Sequence, residues 1–263
     1  MTEADLTVVA ETDDDYGIVR RIFRRFVHWA SYKFVLSSRR TRQVAIDDLQ
    51  LEIPPTVFHP GVFVTSKIFA RYLRTRDFTG KSAVEVGTGS GILALSAARA
   101  GADRVLALDI NPNAVQGALA NAQRNGLRAV VDARQSDLFS SVARSEQFDV
   151  VISSPPSFAG EAIDLADRAW HAGPGYCHIR PLFLQAAKHL KPDGEMLILL
   201  SSDTNIALME RLAGEAGLTW TLVVQRSILV EAFLIYRLHH RSRAMRRTPV
   251  SHGKPSVGVE AFD

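Results

Sequence analysis

A single cysteine, Cys177, occurs in 263 residues. No intrachain disulfide can form, and no short-spaced set of Cys and His stands ready to hold a metal. A reducing, cytoplasmic setting is expected, with no metal ion. The opening MTEADLTVVA carries acids where a secretory signal would carry Lys or Arg. No apolar run approaches the roughly 18 residues that a membrane span needs, so the chain is expected to be neither exported nor anchored. An excess of one charge is also missing: 31 Lys and Arg against 28 Asp and Glu leave +3. Any basic surface for nucleic acid would have to be local. Disorder is excluded by the 46% of hydrophobic residues, and the length supports one substantial core with a small appendage.

What is present is periodic. Ile18, Ile22, Phe26 and Trp29 recur at helical spacing behind the acidic run Asp13 to Asp15, which predicts an amphipathic helix over 15–36. Its opposite face carries Arg20, Arg21, Arg24 and Arg25. QVAIDDLQLEI, 43–53, reads as a strand closed by Pro54-Pro55, and residues 1–55 together as an N-terminal cap. From Thr65, helices and apolar strands alternate: helix 66–76, strand 82–86, helix 91–100, strand 104–109, helix 112–125, strand 128–133, strand 148–153, helix 178–190, strand 195–201 and helix 204–216. Such alternation implies a mainly parallel α/β sheet with right-handed crossovers. Strands 218–226 and 228–238, joined at Arg226-Ser227, are too close for a parallel crossover and must form an antiparallel hairpin. The expected domain covers 56–240, and 241–263 reads as a flexible basic tail that includes Arg241 to Arg247.

Four motifs carry chemistry. Glu85-Val86-Gly87-Thr88-Gly89-Ser90-Gly91 stands where a strand turns into a helix. Glycines there allow positive φ and let a ligand lie on bare backbone, next to the unpaired N–H groups of a helix start. The spacing is GxGxG, not the GxGxxG of dinucleotide folds, and Glu85 would repel a pyrophosphate but welcome an ammonium or sulfonium. Asp109-Ile110-Asn111 begins eighteen residues after Gly91, where a carboxylate can accept both ribose hydroxyls and Ile110 can wall an adenine. Ser136-Asp137-Leu138-Phe139 follows the third core strand; Asp137 suits the adenine amino group, with Leu138 and Phe139 against the ring. Ser154-Pro155-Pro156-Ser157-Phe158 ends the fourth. The prolines cannot donate to a sheet, so they stop the strand and free carbonyls. Ser154 and the Pro155 carbonyl can then hold an N–H of a planar acceptor and aim its nitrogen, with Phe158 against the plane.

The ordered set EVGTGSG, LDINP, SDLF and SSPPSF resembles the class I S-adenosylmethionine-dependent methyltransferases. Within them it is similar to the small-domain group of release-factor glutamine, ribosomal-protein and RNA methyltransferases. The resemblance covers about 55–238. It implies a Rossmann-like seven-stranded sheet in the order 3-2-1-4-5-7-6 with its last strand antiparallel, and S-adenosyl-L-methionine as cofactor. Glu85, Gly87 and Gly89 would lie by its methionine part, Asp109 on the ribose and Asp137 by the adenine, with Thr88, Gly91, Ile110, Asn111 and Leu138 also in contact with the cofactor. Ser154, Pro155, Pro156 and Phe158 would meet the acceptor, with Ser154 also near the cofactor. Thr65 would cap the first core helix or touch the methionine end. Ser154 and Ser157 depart from the Asn and Tyr of the group's Asn-Pro-Pro-Tyr motif, so glutamine specificity does not carry over. His59 is a candidate acceptor-side base or a structural histidine. The loop holding Trp170, His171, Tyr176, Cys177 and His178 reads as an acceptor lid or a surface segment.

The expected reaction is direct in-line methyl transfer to a planar nitrogen, amide or base, of a protein or RNA. A small-metabolite acceptor and a non-catalytic nucleotide- or RNA-binding module are the alternatives. A nicotinamide oxidoreductase is disfavoured by Glu85 and the glycine spacing.

Overall fold

The computed structural model describes residues 40–60, 64–228 and 231–241. The helix expected over 15–36 lies outside these residues, as does the tail from 242 on. Fourteen elements follow in chain order. They are β1 (Arg42–Ile46), β2 (Leu49–Ile53), α1 (Val64–Arg74), β3 (Ser82–Val86), α2 (Ile92–Arg99), β4 (Arg104–Asp109), α3 (Pro112–Arg124), β5 (Val131–Gln135), β6 (Phe148–Ser153), α4 (Ile179–His189), β7 (Leu190–Ser201), α5 (Ile206–Glu215), β8 (Leu218–Ile228) and β9 (Glu231–His240).

The main sheet has seven strands in the order β5-β4-β3-β6-β7-β9-β8, with β9 antiparallel to both neighbours. In core numbering this is 3-2-1-4-5-7-6, as the resemblance implied. Alternation along the strands sorts side chains to two cores. Ala83, Val105, Ala107, Val150, Ile152, Leu197 and Leu199 face α1, α2 and α3, whereas Val84, Leu106, Leu108, Val151, Met196 and Ile198 face α4 and α5. Both faces of the parallel strands are therefore apolar, which is why they read as near-continuous hydrophobic runs. No helix among the described residues is long and apolar enough to cross a membrane.

Three expectations need correction. The strand expected at 43–53 is a hairpin: β1 pairs antiparallel with β2 around Asp47-Asp48, and Asp47 takes φ 52°. Aspartate tolerates this left-handed conformation, and the two acids interrupt the apolar alternation where the turn falls. Arg71 and Arg74 of α1 pair with Asp47 and Asp48. The turn between the last two strands is not Arg226-Ser227, because Arg226 pairs with Phe233 and Ile228 with Glu231, placing the connection at 229–230. Finally, β7 starts at Leu190 and not at 195; Lys191-Pro192-Asp193-Gly194 passes through a register shift against β6 where a break was expected.

The hairpin, expected within a separate cap, shares the core of the main sheet: Ile46, Leu49, Leu51 and Ile53 are buried with α2 and α3. Its edge is covered by two side-chain amides. Asn121 of α3 accepts from the Glu52 N–H (2.7 Å) and donates to the Glu52 carbonyl (2.9 Å), and Asn125 treats Gln50 the same way at 3.0 and 2.8 Å. Residues four apart on a helix rise about 6 Å and residues two apart on a strand about 6.6 Å, so the amides match alternate strand residues. A strand edge that would otherwise offer unpaired groups is closed by a helix. Asn121 also donates to the Ser90 carbonyl at 2.9 Å, tying the hairpin to the glycine loop.

Asn121→Ala strips partners from one buried backbone group, at Ser90, and two part-buried ones, at Glu52, and a fully buried unsatisfied group costs about 1–3 kcal/mol. Chemical denaturation is expected to show a loss of about 2–4 kcal/mol, against less than about 0.5 kcal/mol for the exposed Asn113→Ala.

Candidate active site

All the parallel strands end at one edge of the sheet, and a cavity of about 790 Å³ runs along that edge from the tip of β5 to those of β7 and β9. Ligands of open α/β sheets bind at such an edge, where the strand order reverses between β3 and β6.

At the tip of β3, Glu85 is 1% exposed. Its Oε2 accepts from the Thr88 hydroxyl (2.6 Å) and from the Ala94 N–H in the first turn of α2 (2.9 Å). Gly91, the N-cap of α2, has no side chain to cap that helix, so the strand's carboxyl does it. Burial pushes the Glu85 pKa up to about 8, Asp109 adding to the rise and the two hydrogen bonds opposing it. At neutral pH Glu85 therefore keeps its proton, and a neighbouring cation would drive it off.

At the tip of β4, Asp109 Oδ2 accepts from the Gly89 N–H (2.8 Å) and Oδ1 from the Asn111 N–H (2.9 Å). A carboxylate has about four lone-pair sites, so acceptor capacity remains for a ligand hydroxyl beside these backbone donors. Burial raises the Asp109 pKa, and the backbone donors hold it back. Asn111 borders the cavity, but its side chain is occupied: Oδ1 caps α3 at the Asn113 N–H (3.0 Å) and Nδ2 donates to the Thr56 carbonyl (3.1 Å) and hydroxyl (3.0 Å). It builds the floor.

Gly87 and Gly89 have φ of 80° and 52°, and a Cβ on either would meet nothing within 4 Å, so both open onto the cavity. Gly91 does not border it. A Cβ there would come within 3.0 Å of Ala118 in α3, so this glycine serves helix packing and its assignment to the cofactor is corrected. Phe139 is corrected likewise: it is buried and stacked on His189 at 4.9 Å, away from the cavity that Ile110, Asp137 and Leu138 border. Thr65 borders the cavity from inside the first turn of α1, which starts at Val64, so it is not the cap expected of a helix 66–76.

At the tip of β6, Ser153, Ser154, Pro155 and Pro156 all border the cavity, and the Ser153 hydroxyl donates to the Val86 carbonyl (3.0 Å) inside the sheet. The loop beyond doubles back: Phe158 N–H donates to the Trp170 carbonyl (3.1 Å) and Ala172 N–H to the Phe158 carbonyl (2.8 Å). Phe158 and Trp170 stack at 5.8 Å, and Phe58 meets Trp170 edge-on at 5.5 Å. Trp170, His171 and His178 border the cavity, and Tyr176 and Cys177 do not; the Tyr176 hydroxyl braces the loop by donating to the Ser157 carbonyl at 3.1 Å. His59 is 8% exposed and does not border the cavity, which favours its reading as a structural histidine, and burial lowers its pKa.

Phe58, Asp203 and Glu231 also border the cavity and were missed. Asp203 follows β7, so the rule that sites gather after strand ends could have found it. Glu231 begins β9, and only the reversed direction of that strand brings its first residue to this edge.

Sheet order and cavity define the architecture of the class I S-adenosylmethionine-dependent methyltransferases. The family profile "Ribosomal protein L11 methyltransferase (PrmA)" matches residues 30–169, more than half of the chain, and the chain belongs to that family. It is 40% identical over 101 residues to the ribosomal protein L11 methyltransferase of Thermosipho africanus, covering 38% of this chain and 37% of that protein. With the Tolumonas auensis protein of the same name the identity is 37% over 101 residues, 38% of this chain and 34% of that one. The chain thus spans little more than a third of the length of these relatives. The solved ribosomal protein L11 methylase of Lactobacillus delbrueckii subsp. bulgaricus matches with TM-score 0.54 and 20% identity over 72% of this chain and 84% of that one. The T. thermophilus 16S rRNA methyltransferase in complex with AdoMet and guanosine matches at 0.56 and 21%, over 74% and 49%. At such identities the solved structures speak for the fold.

The folded Glu85 keeps its proton up to about pH 8, whereas an unfolded carboxyl loses it near 4.5. Between these values the native state holds the extra proton, so unfolding free energy falls as pH rises, by up to about 1.4 kcal/mol per pH unit. Denaturation of wild type and Glu85→Gln from pH 5 to 8 is expected to show this slope lessened in the variant.

Proposed function

We propose that the chain transfers a methyl group from S-adenosyl-L-methionine to a planar nitrogen of a cytoplasmic protein or RNA, by direct in-line displacement. The observation that carries this is one continuous cavity bordered by two carboxyls at the tips of β3 and β4 and by the Ser154-Pro155-Pro156 corner at the tip of the adjacent β6.

The residues fit the cofactor. Asp109 retains acceptor capacity for the ribose hydroxyls, Ile110 and Leu138 wall the adenine, and Asp137, which borders the cavity, serves its amino group. Gly87 and Gly89 admit the methionine part against bare backbone, and Glu85 gains its charge when a cation arrives. Bound there, the sulfonium supplies a methyl already activated for transfer. The chain then has to align the acceptor and exclude water. Ser154 and the Pro155 carbonyl hold an acceptor N–H, the Pro156 ring withholds a competing donor, and the Phe158–Trp170 stack offers a flat wall. The curated relatives are named for ribosomal protein L11, which supports a protein acceptor first.

Labelled S-adenosylmethionine and fractionated lysate test this directly. Label in protein or RNA supports the proposal, label only in the small-molecule pool replaces the acceptor class, and no transfer overturns it. Asp109→Ala is expected to weaken cofactor binding by about 10- to 100-fold in calorimetry, as lost charge-assisted hydrogen bonds do. Ser154→Ala should leave that affinity within about twofold and slow single-turnover transfer by about tenfold or more. Unchanged behaviour in both variants defeats the assignments.

A further inference from the structure

We infer that Gln185 of α4 selects adenine in the methyl donor: its Nε2 donates to a ring nitrogen flanking the 6-amino group, while Asp137 accepts from that amino group. This rests on the placing of the adenine proposed above and deepens it by supplying the second half of the base edge.

Helix α4 lies along the cavity. His178, Leu182 and Gln185, at i, i+4 and i+7, all border it, so they share the helix face turned toward it. His178 is the N-cap, at the end of the loop that carries Trp170, and Gln185 lies seven residues on, a rise of about 10 Å. There the side chain meets the loop after β5: Gln185 Oε1 accepts from the Phe139 N–H at 3.2 Å.

That contact orients the carboxamide. A backbone N–H can be met only by the amide oxygen, because the amide nitrogen carries donors and no acceptor, so Oε1 faces the loop and Nε2 is left with two hydrogens. Among the described residues Nε2 has no hydrogen-bond partner, and it is not sealed off from solvent. An open donor is therefore held against the segment that carries Asp137 and Leu138, on a residue that borders the same cavity as they do.

The segment is itself firmly built. Leu138 takes φ of 51°, a left-handed conformation that a branched apolar residue keeps only where its neighbours impose it. Here they do: the Asp137 N–H donates to the Ser140 hydroxyl oxygen and the Ser141 N–H to that of Ser136, each at 3.0 Å, and the Ser140 N–H donates to the Asp137 carbonyl at 3.0 Å. Gln185 takes the next N–H after Leu138. The Asp137 carboxyl enters none of these bonds and has no partner among the described residues. Adenine presents an amino donor beside acceptor nitrogens, whereas guanine and hypoxanthine present a carbonyl oxygen in place of the amino group. A carboxyl oxygen next to an amide N–H matches adenine and sets oxygen against oxygen in the other two.

Calorimetry with S-adenosylhomocysteine tests this without an acceptor, using also its 1-deaza, 7-deaza and hypoxanthine analogues. The proteins are wild type, Gln185→Ala and Gln185→Glu, the last keeping an oxygen for the Phe139 N–H while removing the donor. Wild type is expected to bind one of the two deaza analogues about 5- to 10-fold more weakly than the parent, and the hypoxanthine analogue more weakly still. In both variants the parent should lose about that factor and the deaza penalty should vanish or reverse. A purely structural role would not produce this, because a loosened loop weakens all four ligands alike. A deaza penalty of wild-type size in the variants overturns the inference and assigns the edge to the Leu138 N–H, which makes no hydrogen bond among the described residues. Absence of any deaza penalty in the wild type overturns it equally, whether or not the variants fold. Either result leaves methyl transfer standing, whereas a wild type that binds none of the four ligands takes the proposed adenine site down as well.

Discussion

Strand, loop and helix meet at the Glu85 carboxyl. It lies at the tip of β3, accepts the hydroxyl that holds Thr88, and caps α2 at Ala94 because Gly91 has no side chain to do so. The glycine loop can thus be open on its cavity side and rigid on its core side. A carboxyl buried this deeply keeps its proton at neutral pH unless a positive charge is brought to it, so the group that orders the loop also responds to what fills it. Asp109 repeats the pattern one strand away, with one oxygen anchored to the loop and the other to the start of α3.

The N-terminal hairpin supports the same loop from outside. Asn121 grips β2 and the Ser90 carbonyl together, and Thr56, just after β2, fastens Asn111. Residues that read as a separate appendage are therefore part of what holds the site. The loop after β6 is tied to itself by main-chain hydrogen bonds and by the Phe158–Trp170 stack, which gives the cavity a built wall beside the double proline.

Much of this was legible beforehand for physical reasons. Strands buried on both faces must be apolar throughout, so β3, β4 and β6 stand out to the residue. Glycines required at positive φ mark the loop, and two prolines can only end a strand. The errors have equally specific causes. Gly91 sits in the same motif as Gly87 and Gly89, but its neighbour is Ala118 and not the cavity, and spacing alone does not reveal what a missing side chain makes room for. Phe139 was drawn toward a ligand by adjacency and is claimed by the core through His189.

Order and type of residue were enough for the sheet and for placing Glu85, Asp109 and Ser154 at the strand tips, because each depends on local conformation and on short-range periodicity. Folding in three dimensions alone decided that Glu231 reaches the same edge as Asp203, that Phe58 meets Trp170, and that Trp170 and His171 border the same cavity as Ser154. These pairings join segments through strand direction, loop closure and burial, and such long-range contacts leave no repeat in the chain from which to read them.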